Sequence, residues 1–365
     1  MSVRYLEGLN TLRFLAAFFV IFSHGQISLW KLKLVSQPVA SIFNRGGDAV
    51  EFFFTLSGFL ITFLLINEAD KTKTISIRHF YVRRVLRIWP LYFLIVAIGF
   101  VFFGFVYPAI YHENYFEFSI PSGLLLFICF LPNIATSFFP TGILYPLWSI
   151  GVEEQYYLFW APLIKAFRKN ILAVILVFII ISYCWYALMS ENIFALSSGW
   201  RKFFLSQKFY AMSMGGLFAY LFARKKYWFA VHNKSSKLIQ GAIIFTLLFH
   251  YLVGFSFSNA LWFHFLLSVL YGMLILYTII SGSLINLEFQ PFKFLGVISY
   301  GLYMFHMLVD YFLRLLVMKS NIDFSGSFYF VPLYHLCLLG LTILVATLSY
   351  RYLESYFFRL KSRFS

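Results

Sequence analysis

Long apolar segments, separated by short polar or basic connections, are the feature that most limits how this chain can fold. Hydrophobic residues make up 61% of the chain and charged residues 12%, whereas a soluble domain is typically ~45–50% apolar and ~25% charged. Several segments approach the ~20 residues that a helix needs to cross ~30 Å of hydrocarbon. The sequence therefore predicts an all-α polytopic membrane protein and excludes disordered, fibrous, secreted and DNA-binding proteins.

The distribution of basic residues predicts how often the chain crosses the membrane. The formal net charge is +15, and Lys and Arg accumulate on the cytoplasmic loops of membrane proteins. Most of the basic residues fall on one side if the chain crosses about ten times with both termini cytoplasmic. The absence of a long linker or repeat predicts one domain over residues 1–365.

Two details of this prediction concern the course of the chain inside the membrane. Residues 121–146 contain Pro132, Pro140 and Pro146. They predict a broken or re-entrant segment, because irregular backbone is tolerated in membranes where it is buried in protein or lines a cavity. The ninth span is placed near residues 293–316.

Ionisable residues inside the predicted spans are the candidates for a functional site, because each costs ~2.5–3.5 kcal/mol near the middle of a spanning helix. Arg13 and His24 lie in the first span. At about 100° per residue they share one face, about 16 Å apart along the axis. Arg13 alone is also explained as a cation that extends to the headgroups, and His24 alone as a hydrogen-bonded core histidine. Together they predict a site that lines a passage.

The second span begins with two acidic residues. Asp48 and Glu51 lie three positions apart and share a face. At the outer boundary of the membrane, the simpler interpretation of Asp48 is a solvated carboxylate. Ser57-Gly58, further along the span, is most simply explained by close helix packing.

Three arginines precede the third span. Arg83, Arg84 and Arg87 lie at the predicted inner interface, where the positive-inside rule alone explains basic residues. The functional alternative is a clamp for a phosphorylated cytosolic ligand, since guanidinium groups match phosphate oxygens.

The fourth span begins at Trp148-Ser149 and contains two adjacent glutamates that are hard to explain structurally, Glu153 and Glu154. Ser149, Glu153 and Tyr157 step by four positions and share one face. Neighbouring residues on a helix diverge by about 100°, so either glutamate is a candidate for pointing inward.

The ninth span carries a third set of polar residues. Ser299, Tyr303 and His306 lie along one face, and Asp310 follows one turn later. An ion pair between His306 and Asp310 within the helix is the alternative to a functional role. Glu354, at the inner end of the last span, is interpreted as half of a cytoplasmic salt bridge.

Taken in order, these blocks resemble the acyltransferase-3 family of integral membrane acyltransferases, which includes bacterial O-antigen and exopolysaccharide acetyltransferases. The matching blocks are Arg13-x10-His24, Val50-Glu51-Phe52-Phe53 to Leu56-Ser57-Gly58-Phe59-Leu60-Ile61, Arg83-Arg84-x2-Arg87-Ile88-x-Pro90, Trp148-Ser149 to Glu153-Glu154-Gln155-Tyr156-Tyr157, and Ser299-Tyr300-Gly301-Leu302-Tyr303 to His306. One departure is that Glu354 is followed by Ser355-Tyr356 rather than by a proline. Many members also carry an extracytoplasmic SGNH-type hydrolase domain, and we expect this chain to react without one.

The resemblance implies an enzyme of the bacterial inner (cytoplasmic) membrane that transfers an acetyl group from cytosolic acetyl-CoA. The implied acceptor is a hydroxyl of a cell-surface glycan or lipid-linked sugar, such as lipopolysaccharide O-antigen or exopolysaccharide. No metal and no nucleic acid are expected. Residues expected to bind the acceptor or to support the site are Glu51, Ser57, Trp148, Ser149, Tyr303 and His306.

The resemblance also suggests roles for the ionisable residues. The arginine clamp and Arg13 would bind the donor, and His24 would act as a general base or become transiently acetylated. Either glutamate would orient the imidazole. Tyr157 or Tyr303 would donate a hydrogen bond to the oxyanion.

A different class of function uses the same residue types. Arg, His and Glu inside a membrane are also typical of a proton-coupled transporter or flippase for a small anion or a lipid-linked sugar. The two halves of the chain show no evident repeat, and this favours the acyltransferase. A receptor or scaffold is a more distant alternative.

Overall fold

The computed structural model describes residues 6–35, 45–225, 233–255, 260–281, 284, 287–320, 329–361 and 364. The described residues are predominantly helical and form no strand, which confirms the predicted all-α class. The helices are α1 Leu9–Lys31, α2 Gly46–Thr72, α3 Ile77–Val101, α4 Tyr107–Tyr111, α5 Ile120–Ile128, α6 Pro132–Phe138, α7 Leu147–Ala166, α8 Ile171–Ser190, α9 Ser198–Ser206, α10 Phe209–Ala223, α11 Asn233–Leu252, α12 Leu261–Ser281, α13 Gln290–Val297, α14 Ser299–Lys319, α15 Phe330–Ser349 and α16 Ser355–Lys361. Residues 1–5 and 365, which include both predicted cytoplasmic termini, lie outside the described ranges.

Within the described residues, 7 helical stretches are long and apolar enough to cross a membrane. They are α1, α2, α3 continued through α4, α8, α12, α14, and α15 continued into α16. Helix α7 occupies the predicted fourth span, and α10 and α11 are two further helices of the bundle. Helix α10 has only 15 residues, and α7 contains two glutamates and a lysine. The structure therefore supports a multi-pass membrane protein.

The predicted break before the fourth span is present. Short helices α5 and α6 are followed by a 3-10 turn at Gly142–Leu144, and α7 begins only after Pro146. The Asn133 side chain of α6 is fully buried, and it exchanges hydrogen bonds with Gln155 of α7. This irregular segment is packed against protein, as the tolerance for broken backbone inside a membrane requires.

The segment predicted as the ninth span is divided between two helices, and only the second has the length of a membrane span. Helix α13 ends at Val297, Ile298 interrupts the helix, and α14 begins at Ser299. Gly296 packs so closely on α1 that an added Cβ would collide with the backbone of Asn10. Helix α13 therefore lies against the beginning of α1, while α14 takes its own path through the bundle.

Helix α2 is the most buried of the membrane-length helices and packs directly against α10. A Cβ at Gly58 would collide with the backbone carbonyl of Met212, and one at Gly215 would collide with that of Thr55. Two glycines thus let the two backbones touch, which confirms the packing interpretation of Gly58.

Candidate functional site

A cavity with about 770 Å³ of space, its open mouth included, lies between α1, α2, α3, α7 and α14. Its polar lining comes from side chains of all five helices. They are Arg13, Ser57, Arg84, Arg87, Ser149, Glu153, Tyr157, Ser299, Tyr300 and Tyr303. Most of the separately predicted blocks therefore meet around one space. The predicted common face of Ser149, Glu153 and Tyr157 is confirmed, because all three line it.

A carboxylate with two hydroxyl partners forms one wall of this cavity. The Tyr157 hydroxyl donates to Glu153 at 2.6 Å, and the Ser57 hydroxyl is 3.4 Å from the same oxygen. Ser57 and Tyr157 also share a hydrogen bond. The neighbouring Glu154 accepts from the indole of Trp89 at 3.3 Å and does not line the cavity. Glu153 is therefore the glutamate that points inward.

The cavity also holds three arginines from two helices. Arg13, Arg84 and Arg87 line it, and within the described residues none of the three forms an ion pair. Arg84 is 7% exposed, and its guanidinium lies over the rings of Phe80 and Tyr157 at 5.6 and 5.7 Å. Unpaired cations in a buried space are costly, so this cavity favours an anion.

Arg83, the first arginine of the predicted clamp, does not line the cavity. Its guanidinium donates to the Glu68 carboxylate at 2.9 Å and to the Phe364 carbonyl at 3.0 Å. The helical step of 100° between Arg83 and Arg84 directs the two side chains to different surroundings. The structure therefore brings Arg84 and Arg87 to the cavity and leaves Arg83 outside it.

His24 is hydrogen-bonded to a second histidine. Its Nδ1 lies 3.0 Å from Nε2 of His306, and Nδ1 of His306 lies 2.6 Å from the Tyr303 carbonyl oxygen. His306 is fully buried and His24 is partly exposed. No glutamate contacts His24 in the described part of the chain. Either Glu153 or Glu154 was expected to hydrogen-bond to the His24 imidazole and orient it. His306 is the side chain that does so.

Tyr303 lies between the cavity and the histidine pair. Its hydroxyl donates to the Pro146 carbonyl at 3.1 Å and shares a 2.7 Å hydrogen bond with Ser149. Tyr303 lines the cavity, whereas His24 does not. The arginines and His24 therefore occupy adjoining regions, with the Tyr303–Ser149 pair at the boundary.

The alternative of an ion pair between His306 and Asp310 is wrong. Asp310 is fully buried and accepts from Ser28 at 2.7 Å, from Tyr334 at 2.8 Å and from Arg314 at 3.0 Å. These three partners occupy the carboxylate, and His306 contacts α1 instead. Asp310 therefore ties α14 to α1 and α15.

A second polar cluster lies at the beginning of α2. Asp48 is 2.8 Å from His250, and Glu51, which is fully buried, is 2.6 Å from Lys208 and 3.3 Å from His264. The interpretation of Asp48 as solvated is wrong, because α11 and α12 cover it. Sequence reasoning missed Lys208, His250 and His264. The sequence signal that could have identified them is the same as for the other candidates: an ionisable residue in or beside an apolar helix.

Two other residues singled out from the sequence, Trp148 and Glu354, do not line the cavity. The Trp148 ring packs edge-on against Phe54 at 5.9 Å. Glu354 is 3% exposed and accepts from Ser349 at 3.2 Å, so the predicted cytoplasmic salt bridge is wrong. Within the described ranges, no three His, Cys, Asp or Glu side chains are arranged to hold a metal ion.

Comparison with known proteins identifies the family of the chain. The profile of a family described as an acyltransferase domain matches residues 6–351. O-acetyltransferase OatA of Staphylococcus aureus is 25% identical over 97% of this chain and 57% of its own length. Peptidoglycan O-acetyltransferase OatA of Listeria monocytogenes is 29% identical over 46% of this chain and 25% of its own length. No solved structure matches the chain.

The relatives are longer proteins, and this chain spans little more than half the length of the Staphylococcus aureus protein. The family profile, in contrast, covers nearly all of the chain and includes every helix that lines the cavity. The chain belongs to the acyltransferase-3 family.

Proposed function

We propose that this protein is a membrane O-acetyltransferase that moves an acetyl group from cytosolic acetyl-CoA to a hydroxyl of a cell-envelope glycan. The observation that carries the proposal is the shared cavity of three unpaired arginines and a carboxylate–hydroxyl group next to a histidine pair. Family membership supports acyl transfer as the reaction.

The arginines account for the donor. Acetyl-CoA carries phosphates, and the cavity offers Arg13, Arg84 and Arg87 against the single carboxylate of Glu153, with which none of them forms an ion pair among the described residues. Guanidinium groups bind phosphate oxygens through paired hydrogen bonds. Arg13 lies near the beginning of α1 and Arg87 in the first half of α3. We place this end of the cavity at the cytoplasmic face of a bacterial inner membrane, in a bundle of about ten spans.

His24 accounts for activation of the acceptor. A general base must accept the hydroxyl proton as the oxygen attacks the thioester carbonyl. Tyr303 and Ser149 line the cavity, and the Tyr303 ring lies 5.7 Å from the ring of His306, the partner of His24. The two hydroxyls would border the reacting thioester there. His24 takes the hydroxyl proton as the C–O bond forms. The C–S bond then breaks, and His24 returns the proton to the sulfur, so that CoA leaves as the thiol.

The acceptor is a glycan of the envelope. The name of the Listeria monocytogenes relative refers to peptidoglycan, and this adds a cell-wall glycan to lipopolysaccharide O-antigen, exopolysaccharide and lipid-linked sugars as acceptors. Glu51, Ser57 and Trp148 would support the site rather than react. For Glu51 this is consistent with its buried pairing to Lys208.

The proposal is tested with inverted membrane vesicles that contain the protein and the cell's own glycan, supplied with acetyl-CoA labelled in the acetyl group. We expect base-labile label in the glycan and release of one CoA for each acetyl group transferred. His24→Ala should lose this transfer while the protein still accumulates in the membrane, since general-base catalysis contributes ~10²–10⁴-fold.

The matched control is His335→Ala, because His335 is a buried histidine of α15 that contacts α1 through the Phe22 carbonyl. This variant should keep acetyl transfer. Full transfer by His24→Ala would contradict the proposed base. Uptake of labelled compound without cleavage of the thioester would instead indicate a transporter.

A further inference from the structure

We infer that His306 is a positioning residue that fixes His24 in the tautomer with its proton on Nδ1. The inference deepens the proposed function and rests on it, because it specifies which nitrogen of His24 receives the acceptor proton. It depends on four atoms in series: the Tyr303 carbonyl oxygen, the two ring nitrogens of His306, and Nδ1 of His24.

The tautomer of His306 follows from the nature of its first partner. A backbone carbonyl oxygen only accepts hydrogen bonds, so Nδ1 of His306, 2.6 Å from the Tyr303 carbonyl, must carry a hydrogen. A neutral imidazole has one donor and one acceptor nitrogen. Nε2 of neutral His306 is therefore an acceptor.

The tautomer of His24 follows from that of His306. Nε2 of His306 and Nδ1 of His24 are 3.0 Å apart, and a hydrogen bond between them requires Nδ1 of His24 to donate. Neutral His24 then has its lone pair on Nε2. The Val20 carbonyl, one turn earlier on α1, also accepts a hydrogen bond from the His24 ring. No described side chain hydrogen-bonds to Nε2, which we assign as the nitrogen that accepts the proton.

The packing around His306 keeps this arrangement in place. His306 is fully buried, and its carbonyl partner lies one turn earlier on the same helix. The hydroxyl of Tyr303 is anchored to Pro146 and Ser149 near the beginning of α7. One turn further along, Ser28 of α1 donates to Asp310 of α14. The two helices are therefore joined on the outer side of the histidine pair, and His306 cannot easily turn away from α1.

The test compares two substitutions of His306 in the vesicle assay. His306→Gln keeps a carbonyl oxygen that can accept from Nδ1 of His24, whereas His306→Leu removes every acceptor. We expect His306→Leu to lower kcat at least ~10-fold with little change in KM for acetyl-CoA, because the donor arginines are untouched. His306→Gln should restore most of that loss. Equal damage by both variants, or full activity of His306→Leu, would overturn the inference.

A spectroscopic test does not depend on acetyl transfer. Protein labelled with ¹⁵N-histidine in lipid nanodiscs reports which ring nitrogen is protonated, and the His24 signals are assigned by their loss in His24→Ala. We expect an unprotonated Nε2 in the wild type and in His306→Gln, and a mixture of tautomers in His306→Leu. The control His335→Leu should leave the His24 signals unchanged.

The two measurements separate the possible failures. An unprotonated Nδ1 on His24 in the wild type would overturn the positioning role, whatever the activity. The expected tautomers in a protein that transfers no acetyl group would support the geometry and reject the proposed function. Loss of folding in His306→Leu would appear as altered spectra throughout, and the wild-type tautomer would still decide the inference.

Discussion

At the scale of single residues, Arg83 and Arg87 lie four positions apart on α3, but only Arg83 has an ion-pair partner among the described residues. Arg87 lines the cavity and forms no ion pair in the described part of the chain, whereas Arg83 is occupied by Glu68 and the Phe364 carbonyl. The same residue type on one helix thus serves two purposes. The pair offers a matched test of donor binding.

Arg87→Gln should raise KM for acetyl-CoA in the vesicle assay by about 10-fold or more, because hydrogen bonds to charged groups contribute ~1.5–3 kcal/mol. The maximal rate at saturating donor should change little if the arginine binds substrate and transition state equally. Arg83→Gln is the control and should leave KM unchanged. A larger effect of Arg83→Gln than of Arg87→Gln would reject the assignment of the donor site.

At the scale of helices, the contact between α2 and α10 depends on the absence of side chains at two positions. Gly58 and Gly215 each face a backbone carbonyl of the other helix without room for a Cβ. Ser57, next to Gly58, forms part of the cavity wall. Close packing and the site are therefore built by adjacent residues of one helix.

Gly58→Ala should destabilise the protein by ~1–3 kcal/mol, because inserting a methyl group into a packed contact forces the backbones apart. The control is Gly47→Ala, since an added Cβ at Gly47 meets nothing within 4 Å. Thermal unfolding in detergent gives the melting temperature of each variant. An equal melting temperature for the two variants would show that the contact between α2 and α10 can relax.

At the scale of the whole molecule, two buried polar groups of different character lie along α2. The cavity near its middle has cations without carboxylate partners in the described ranges, whereas the cluster at its beginning pairs Glu51 with Lys208 and Asp48 with His250. The first arrangement suits an incoming anion. The second joins α2 to α10, α11 and α12.

Glu51→Gln should destabilise the protein by ~3–5 kcal/mol, because removing one partner leaves a buried charge uncompensated. Asp70→Asn breaks the exposed pair with Arg224 and should cost less than ~1 kcal/mol. Chemical denaturation followed by intrinsic tryptophan fluorescence compares them. A small effect of Glu51→Gln would show that water reaches Lys208 and stabilises it there.

Much of this molecule could be predicted from its sequence because apolar length and helical periodicity act locally. The helical class follows from the apolar segments, the broken segment before α7 from its prolines, and the common face of Ser149, Glu153 and Tyr157 from their spacing along one helix. The break at Ile298 was not predicted, since no proline marks it and α13 is held by its contact with α1.

Contacts between helices explain the errors. The burial of Asp48 depends on His250, which is 202 positions away in sequence, and His24 meets His306 across 282 positions. Periodicity places each residue on a face of its own helix but does not say which helix packs there. The choice between Glu153 and Glu154 is of the same kind.

The glycine-mediated seam between α2 and α10 has a mechanical consequence. Helices whose main chains touch have no flexible layer of side chains between them. We therefore expect α2 and α10 to move together as one rigid unit. The wall that carries Ser57 is then the stationary part of the cavity. Any widening that admits a bulky thioester has to come from the other helices that line the cavity, α1, α3, α7 and α14, and probes for substrate-driven motion belong on those four helices.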